Sequence, residues 1–115
     1  MELDLFLDKL AQSPSLIQFE ETMAAIDACY IFTPTAFTNG DVRNEANQNN
    51  GSCKIFAFAK LNELPPELTL ACFGQYYRHD VLENPQGCDH ANIRNFMQYG
   101  WQGIEFDGPA LVAKA

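Results

Sequence analysis

Basic residues are scarce in this sequence. Seven Lys and Arg stand against fifteen Asp and Glu in 115 residues, leaving a formal charge of −8. A surface that neutralises phosphates needs the opposite sign, which excludes a nucleic-acid partner and an anionic membrane surface. Histidine is scarcer still, with His79 and His90 alone. The His79-Asp80 pair therefore lacks the upstream histidine that an HD-type metal phosphohydrolase requires. Long apolar runs are missing too: nothing approaches the ~18 uninterrupted apolar residues of a membrane span. The stretch MELDLFLDKLAQSPS has no basic start, and acids interrupt it every few positions, unlike a secretory signal. Cys29, Cys53, Cys72 and Cys88 lie 24, 19 and 16 positions apart. Without an export signal they read as reduced thiols that behave as small apolar residues. The protein is expected to be cytoplasmic at synthesis.

What is present is the material of one core. Apolar residues make up 47% of the chain and aromatics 12%, nine of them Phe, which is enough to bury a single domain spanning residues 1–115. No internal repeat or linker divides it. Leu3, Phe6, Leu7 and Leu10 form one stripe of a short amphipathic helix. Ser13-Pro14 ends it, and either that pair or Ser15-x-x-Gln18 opens a second helix through about residue 29. Residues 30–38, YIFTPTAFT, read as a strand before an Asn39-Gly40 turn. Residues 43–51 are amide-rich and are expected to form an exposed loop. The run CKIFAFAKLN (53–62) fits a strand or a buried helix capped by Ser52; the two alanines favour the helix.

Leu64-Pro65-Pro66-Glu67 starts a further helix whose buried face carries Leu70, Phe73, Tyr77 and Val81. Gly74 in its middle points to close packing with a neighbour. Asp89 is expected to cap a last helix running to Tyr99, with Ile93, Phe96, Met97 and Trp101 toward the core. Residues 103–107 alternate as a strand able to pair with 30–38. The expected fold is α+β, a mainly helical single domain of about five helices with a small two-stranded sheet.

Several segments together carry a family resemblance. They are Phe32-Thr33-Pro34-Thr35-Ala36-Phe37 with Asn39-Gly40, the run GSCKIFAFA from Gly51 to Ala59, Cys72-Phe73-Gly74, Tyr76-Tyr77-Arg78 and Asp80-Val81-Leu82. Asp89-His90, Asn92-Ile93-Arg94-Asn95-Phe96-Met97 and Gly100-Trp101 complete the set. Over about residues 19–111 the chain resembles the bacterial HopJ-like, or type III effector HopJ, proteins. The resemblance implies the fold and delivery through a type III secretion system, and it brings no catalytic residues. Residues 1–12 read as an ordered acidic helix rather than a Ser-rich leader, so a resident cytosolic role is expected at least as much as export.

Polar chemistry clusters late in the chain. Cys72, His79, Cys88 and His90 make a metal tetrad on paper, but C-x6-H-x8-C-x-H is not a zinc spacing, and buried thiols with ordinary imidazoles explain it better. A nucleophilic pair of Cys72 or Cys88 with either histidine needs an electropositive niche that only Arg78 and Arg94 supply. His90 and Arg94, four apart on one helix, are candidates to clamp a carboxylate or phosphate near its N-terminus, with Tyr76, Tyr77 and Arg78 nearby. The plainer reading pairs Arg94 with an acid such as Asp80. Asn92, Asn95 and Tyr99 form a candidate partner surface on another side of that helix. Tyr76, Tyr77 and Trp101 fit core margins better than an aromatic cage. The expected function is binding, of a protein or a small anionic ligand, without a cofactor. The alternative is a small enzyme or metal- or anion-binding protein centred on His90 and Arg94. Residues 1–29 hold six acids and one Lys, so the acidity lies mostly away from that site.

Overall fold

A computed structural model describes residues 2–114 of the chain. Helix α1 (Glu2–Gln12) buries Phe6 and Leu10 and leaves Asp4, Leu5 and Asp8 in water, as its stripe predicts. A short 3-10 turn, Pro14–Leu16, uses Ser13-Pro14 as its start. Helix α2 (Phe19–Cys29) then begins at Gln18, not Ser15. The Glu21 carboxylate reaches back to accept from the Gln18 N–H at 3.1 Å, half of a reciprocal cap shifted three residues along.

Helix α3 (Asn50–Leu61) is the centre of the molecule, and residues 53–62 are helical in all but their last position. Cys53, Ile55, Phe56, Ala57, Phe58 and Ala59 are all buried, so α3 is apolar nearly all round. Phe56 packs against Phe37, Phe73, Phe96 and Trp101 at centroid distances of 6.0, 5.4, 5.0 and 6.4 Å. Phe58 meets Phe6 and Tyr30 at 5.8 and 5.9 Å on the other side. The aromatic content thus becomes one connected core.

The strands are shorter and more numerous than expected. β1 (Tyr30–Phe32) pairs antiparallel with β5 (Leu111–Ala113), placing Ile31 opposite Val112. Pro34 lies between β1 and a separate strand β2 (Phe37–Asn39), which pairs with both β3 (Val42–Asn44) and β4 (Ile104–Phe106). The two predicted segments pair through β2 and β4, extended by the Asp107 N–H to the Ala36 carbonyl at 3.0 Å. The single two-stranded sheet is replaced by a two-stranded and a three-stranded one. Proline without a donor divides one predicted strand into two. Residues 43–51 are likewise not a continuous exposed loop: Arg43 and Asn44 belong to β3, Asn44 is buried, and Asn50-Gly51 open α3.

The predicted helix beyond Pro65 breaks at Gly74. Helix α4 (Pro66–Ala71) stops short, Gly74 takes φ +62°, and Tyr76–Val81 follow as a wide π-helical turn. A Cβ at Gly74 would lie 2.3 Å from the Phe19 backbone nitrogen, so the expected close neighbour is the start of α2. Leu70, Phe73 and Val81 still reach the core. His90, at φ 51°, and not Asp89 takes the N-cap position of helix α5 (Ala91–Tyr99), without a side-chain capping bond, and Gly100 ends the helix as predicted. No described helix is long and apolar enough to cross a membrane.

Candidate functional site

The N-terminal ends of α3 and α5 open on one cleft of about 340 Å³. Asn49, Gly51 and Ser52 line it from α3; His90, Ala91, Asn92 and Ile93 line it from α5. By helix geometry the first N–H groups of each helix lack intrahelical acceptors. Neither end has a side-chain cap, and neither first turn holds an acid. Two uncapped positive helix ends therefore face the same space, a field that favours a negative group.

Aromatic side chains close the remaining side. Phe19 meets Tyr76 edge-on at 4.9 Å, and Tyr76 stacks on the His90 ring at 5.3 Å with 27° between planes. Gly51 admits this arrangement, since a Cβ there would stand 2.9 Å from the end of the Phe19 ring. His90 donates from Nε2 to Asp80 Oδ2 at 3.0 Å, because an ionised carboxylate only accepts.

Behind the cleft lies a cluster of carboxamides. Asn92 donates to Asn44 Oδ1 at 3.0 Å and accepts from Asn44 Nδ2 at 3.1 Å. Asn39 Nδ2 donates to the Asn92 carbonyl and to its Oδ1, at 2.8 and 3.0 Å. Asn49 adds a bond to Asn44 Oδ1 at 2.7 Å. Asn39, Asn44 and Asn92 are 0%, 1% and 6% exposed. Asn92 is thus no part of a partner surface: it fixes the start of α5 onto β2 and β3 from inside. Asn95 is tied to the Asn39 carbonyl and Asp41 Oδ1, both at 2.9 Å, while Tyr99 remains exposed against Gly40.

The other candidates are dispersed. Arg94 does not line the cleft with His90. Its guanidinium bonds Asp89 Oδ1 at 2.6 Å and the carbonyls of Asp89, Asn84 and Asp80, pinning the loop before α5. It takes the Asp80 carbonyl, whereas the Asp80 carboxylate goes to His90. That bond to Arg94 holds the Asp89 carboxyl below the usual range. Arg78 reaches the Pro14 carbonyl at 3.5 Å, and Tyr77 packs on the core.

His79 pairs with Glu83 in solvent at 2.8 Å. Cys72 is fully buried, and burial pushes its thiol up to about 12, the opposite of a reactive thiolate. Cys88 is exposed on the loop. Among the described residues no three His, Cys, Asp or Glu side chains gather as metal ligands, so the drawn tetrad does not form. Of the residues singled out from the sequence, His90, Tyr76 and Asn92 share one site; Phe19, Asn49, Gly51 and Ser52 join them from segments expected to play other roles.

Comparison with known proteins bears on the whole chain. No curated protein matches it. A crystal structure of a protein of unknown function, VPA0580, superposes with a TM-score of 0.97 at 63% sequence identity, covering 99% of this chain and 95% of that one. The family described as HopJ type III effector protein matches residues 3–111, from α1 into β5. The chain belongs to the HopJ type III effector protein family.

Proposed function

We propose that this HopJ family member acts by binding, and that it takes a small anionic ligand into the cleft between the α3 and α5 N-termini. The observation that carries the reading is the convergence, beside His90 and Tyr76, of two helix ends without a side-chain cap and without an acid in the first turn. The apolar rings of Phe19, Phe73 and Tyr76 offer contact to the body of such a ligand. Catalysis finds less support. Arg94 bonds the loop before α5 rather than the cleft, and the buried Cys72 thiol is held protonated. The protein is synthesised in the cytoplasm on this reading. Export by a type III system is what its family description suggests.

Inorganic sulfate, which stays dianionic across the working pH range, is the probe. Titrating it into 15N-labelled protein should give saturable shifts at the amides of Gly51, Ser52, Ala91 and Asn92. His90→Ala should weaken binding about tenfold, the scale of a lost charge-assisted hydrogen bond. Unsaturable shifts scattered over the surface would overturn the reading.

A further inference from the structure

A second groove, sharing no lining residue with the His90 cleft, runs between the C-terminal half of α3 and the segment from Phe106 to Leu111. It measures about 410 Å³, and Leu61, Phe106, Pro109 and Leu111 give it an apolar floor. Leu61 is 56% exposed, so apolar surface continues beyond the rim. Lys60 is the groove's one charged side chain.

Lys9 pairs with Glu21, Lys54 with Asp27, and Lys114 donates to the Asp27 carbonyl. Among the described residues the Lys60 ammonium makes no hydrogen bond and no ion pair. Two acids adjoin the groove's lining residues in sequence, Glu63 after Leu61 and Asp107 between Phe106 and Gly108. Asp107 is already held by Arg43, and Glu63, turned at φ 53°, makes no bond to Lys60 beyond its N–H to the Lys60 carbonyl. A lysine in the last turn of α3 complements the helix dipole in any setting. The dipole does not account for an open apolar trough beside it.

We propose that this groove binds a straight-chain aliphatic carboxylate of about eight carbons, whose bulk a groove of this size accommodates. The alkyl chain lies along Leu61, Phe106, Pro109 and Leu111, and the carboxylate meets the Lys60 ammonium. Charge complementarity selects this occupant over a neutral one. Most of the net charge of −8 is carried by residues 1–29, whereas the one charge that lines this groove is the Lys60 ammonium.

The test compares octanoate with octan-1-ol, which lacks the charge, and acetate, which lacks the chain, each titrated into the full-length 15N-labelled protein. Octanoate, below its micellar range, should shift the amides of residues 57–61, 106–108, 110 and 111 saturably; acetate should leave them in place. Lys60→Gln should weaken octanoate about fivefold, the upper scale of an exposed ion pair, and leave octan-1-ol unchanged. The side chain is exposed, so an unchanged spectrum of the free variant confirms that it folds. The proposal is overturned if octanoate leaves the groove amides in place, binds no better than acetate, shifts the His90 cleft instead, or ignores Lys60→Gln. Dilution that shifts the same amides without any ligand would assign the groove to a second copy of the chain and overturn it equally.

Discussion

His90 donates from Nε2 to Asp80 Oδ2 at 3.0 Å, and the partner's chemistry decides the tautomer. The carboxylate accepts only, so the neutral ring carries its proton on Nε2 and its lone pair on Nδ1. An anion that engages Nδ1 needs the imidazolium. In Asp80→Ala the preference for Nε2–H should relax, which ring 15N shifts read directly. A Nδ1–H tautomer in the wild type would contradict the assignment.

Gly74 answers two demands at once, and they separate by mutation. Its φ of +62° disfavours any side chain, and a Cβ would stand 2.3 Å from the Phe19 nitrogen, where only backbone would have to yield. Gly100 has φ +65° with nothing within 4 Å. Gly100→Ala should cost about 1–2 kcal/mol from conformation alone. Gly74→Ala should cost roughly 3–4 kcal/mol, since overpacking adds to it. Urea midpoints at unchanged slope measure both.

The break at Gly74 also shows what the sequence conceals. A glycine inside helical periodicity reads as a local penalty of about 1 kcal/mol, which does not disclose that α2 passes against it. The central helix was legible because Ala57 and Ala59 suit a helix amid bulky neighbours. The buried amides were not. Asn39 and Asn44 meet Asn92 across 53 and 48 residues, and only that mutual pairing makes their burial tolerable. His90 and Tyr76 stood out as polar chemistry in one stretch, but Phe19, Gly51 and Ser52 reach them only through tertiary packing. Strands do lie in both predicted segments and pair as β2 with β4, but their limits and the additional β3 and β5 were hidden for a simpler reason: three-residue strands are too short to show a period.

The same amides make Asn92 a stability determinant. Asn92→Leu should cost about 3 kcal/mol, since it leaves the Asn39 and Asn44 carboxamides buried without that partner. Chemical denaturation should show it. A cost below about 1 kcal/mol would mean that the cluster repairs itself, with the Asn39 Oδ1, which already lacks a partner, as its weak point.

The four thiols should separate by accessibility under native alkylation near pH 8. Cys88 is exposed and should react first, with the half-buried Cys29 slower. Burial raises both Cys53 and Cys72, the latter to about 12, so these two should label only on unfolding. Peptide mapping against time checks the order, and early labelling of Cys72 would refute the buried placement.

Acid should weaken the fold through a small set of carboxylates. Hydrogen bonds from Lys9, Arg94 and Arg43 hold Glu21, Asp89 and Asp107 below their ordinary values. A carboxyl depressed in the folded state binds fewer protons there than in the unfolded chain. Its contribution is complete above the unfolded value and disappears as pH falls through the folded one. Melting temperature should therefore decline between about pH 5 and pH 2. Asp89 and Asp107 are exposed and Glu21 is partly so, and each effect is therefore small. Arg43 is held to Asp107 by two bonds and to Glu45 by one, at 3.3 Å. Arg43→Gln should lower the melting temperature at neutral pH and shrink its fall on acidification. An unchanged acid limb in that variant would show that Asp107 carries none of the dependence.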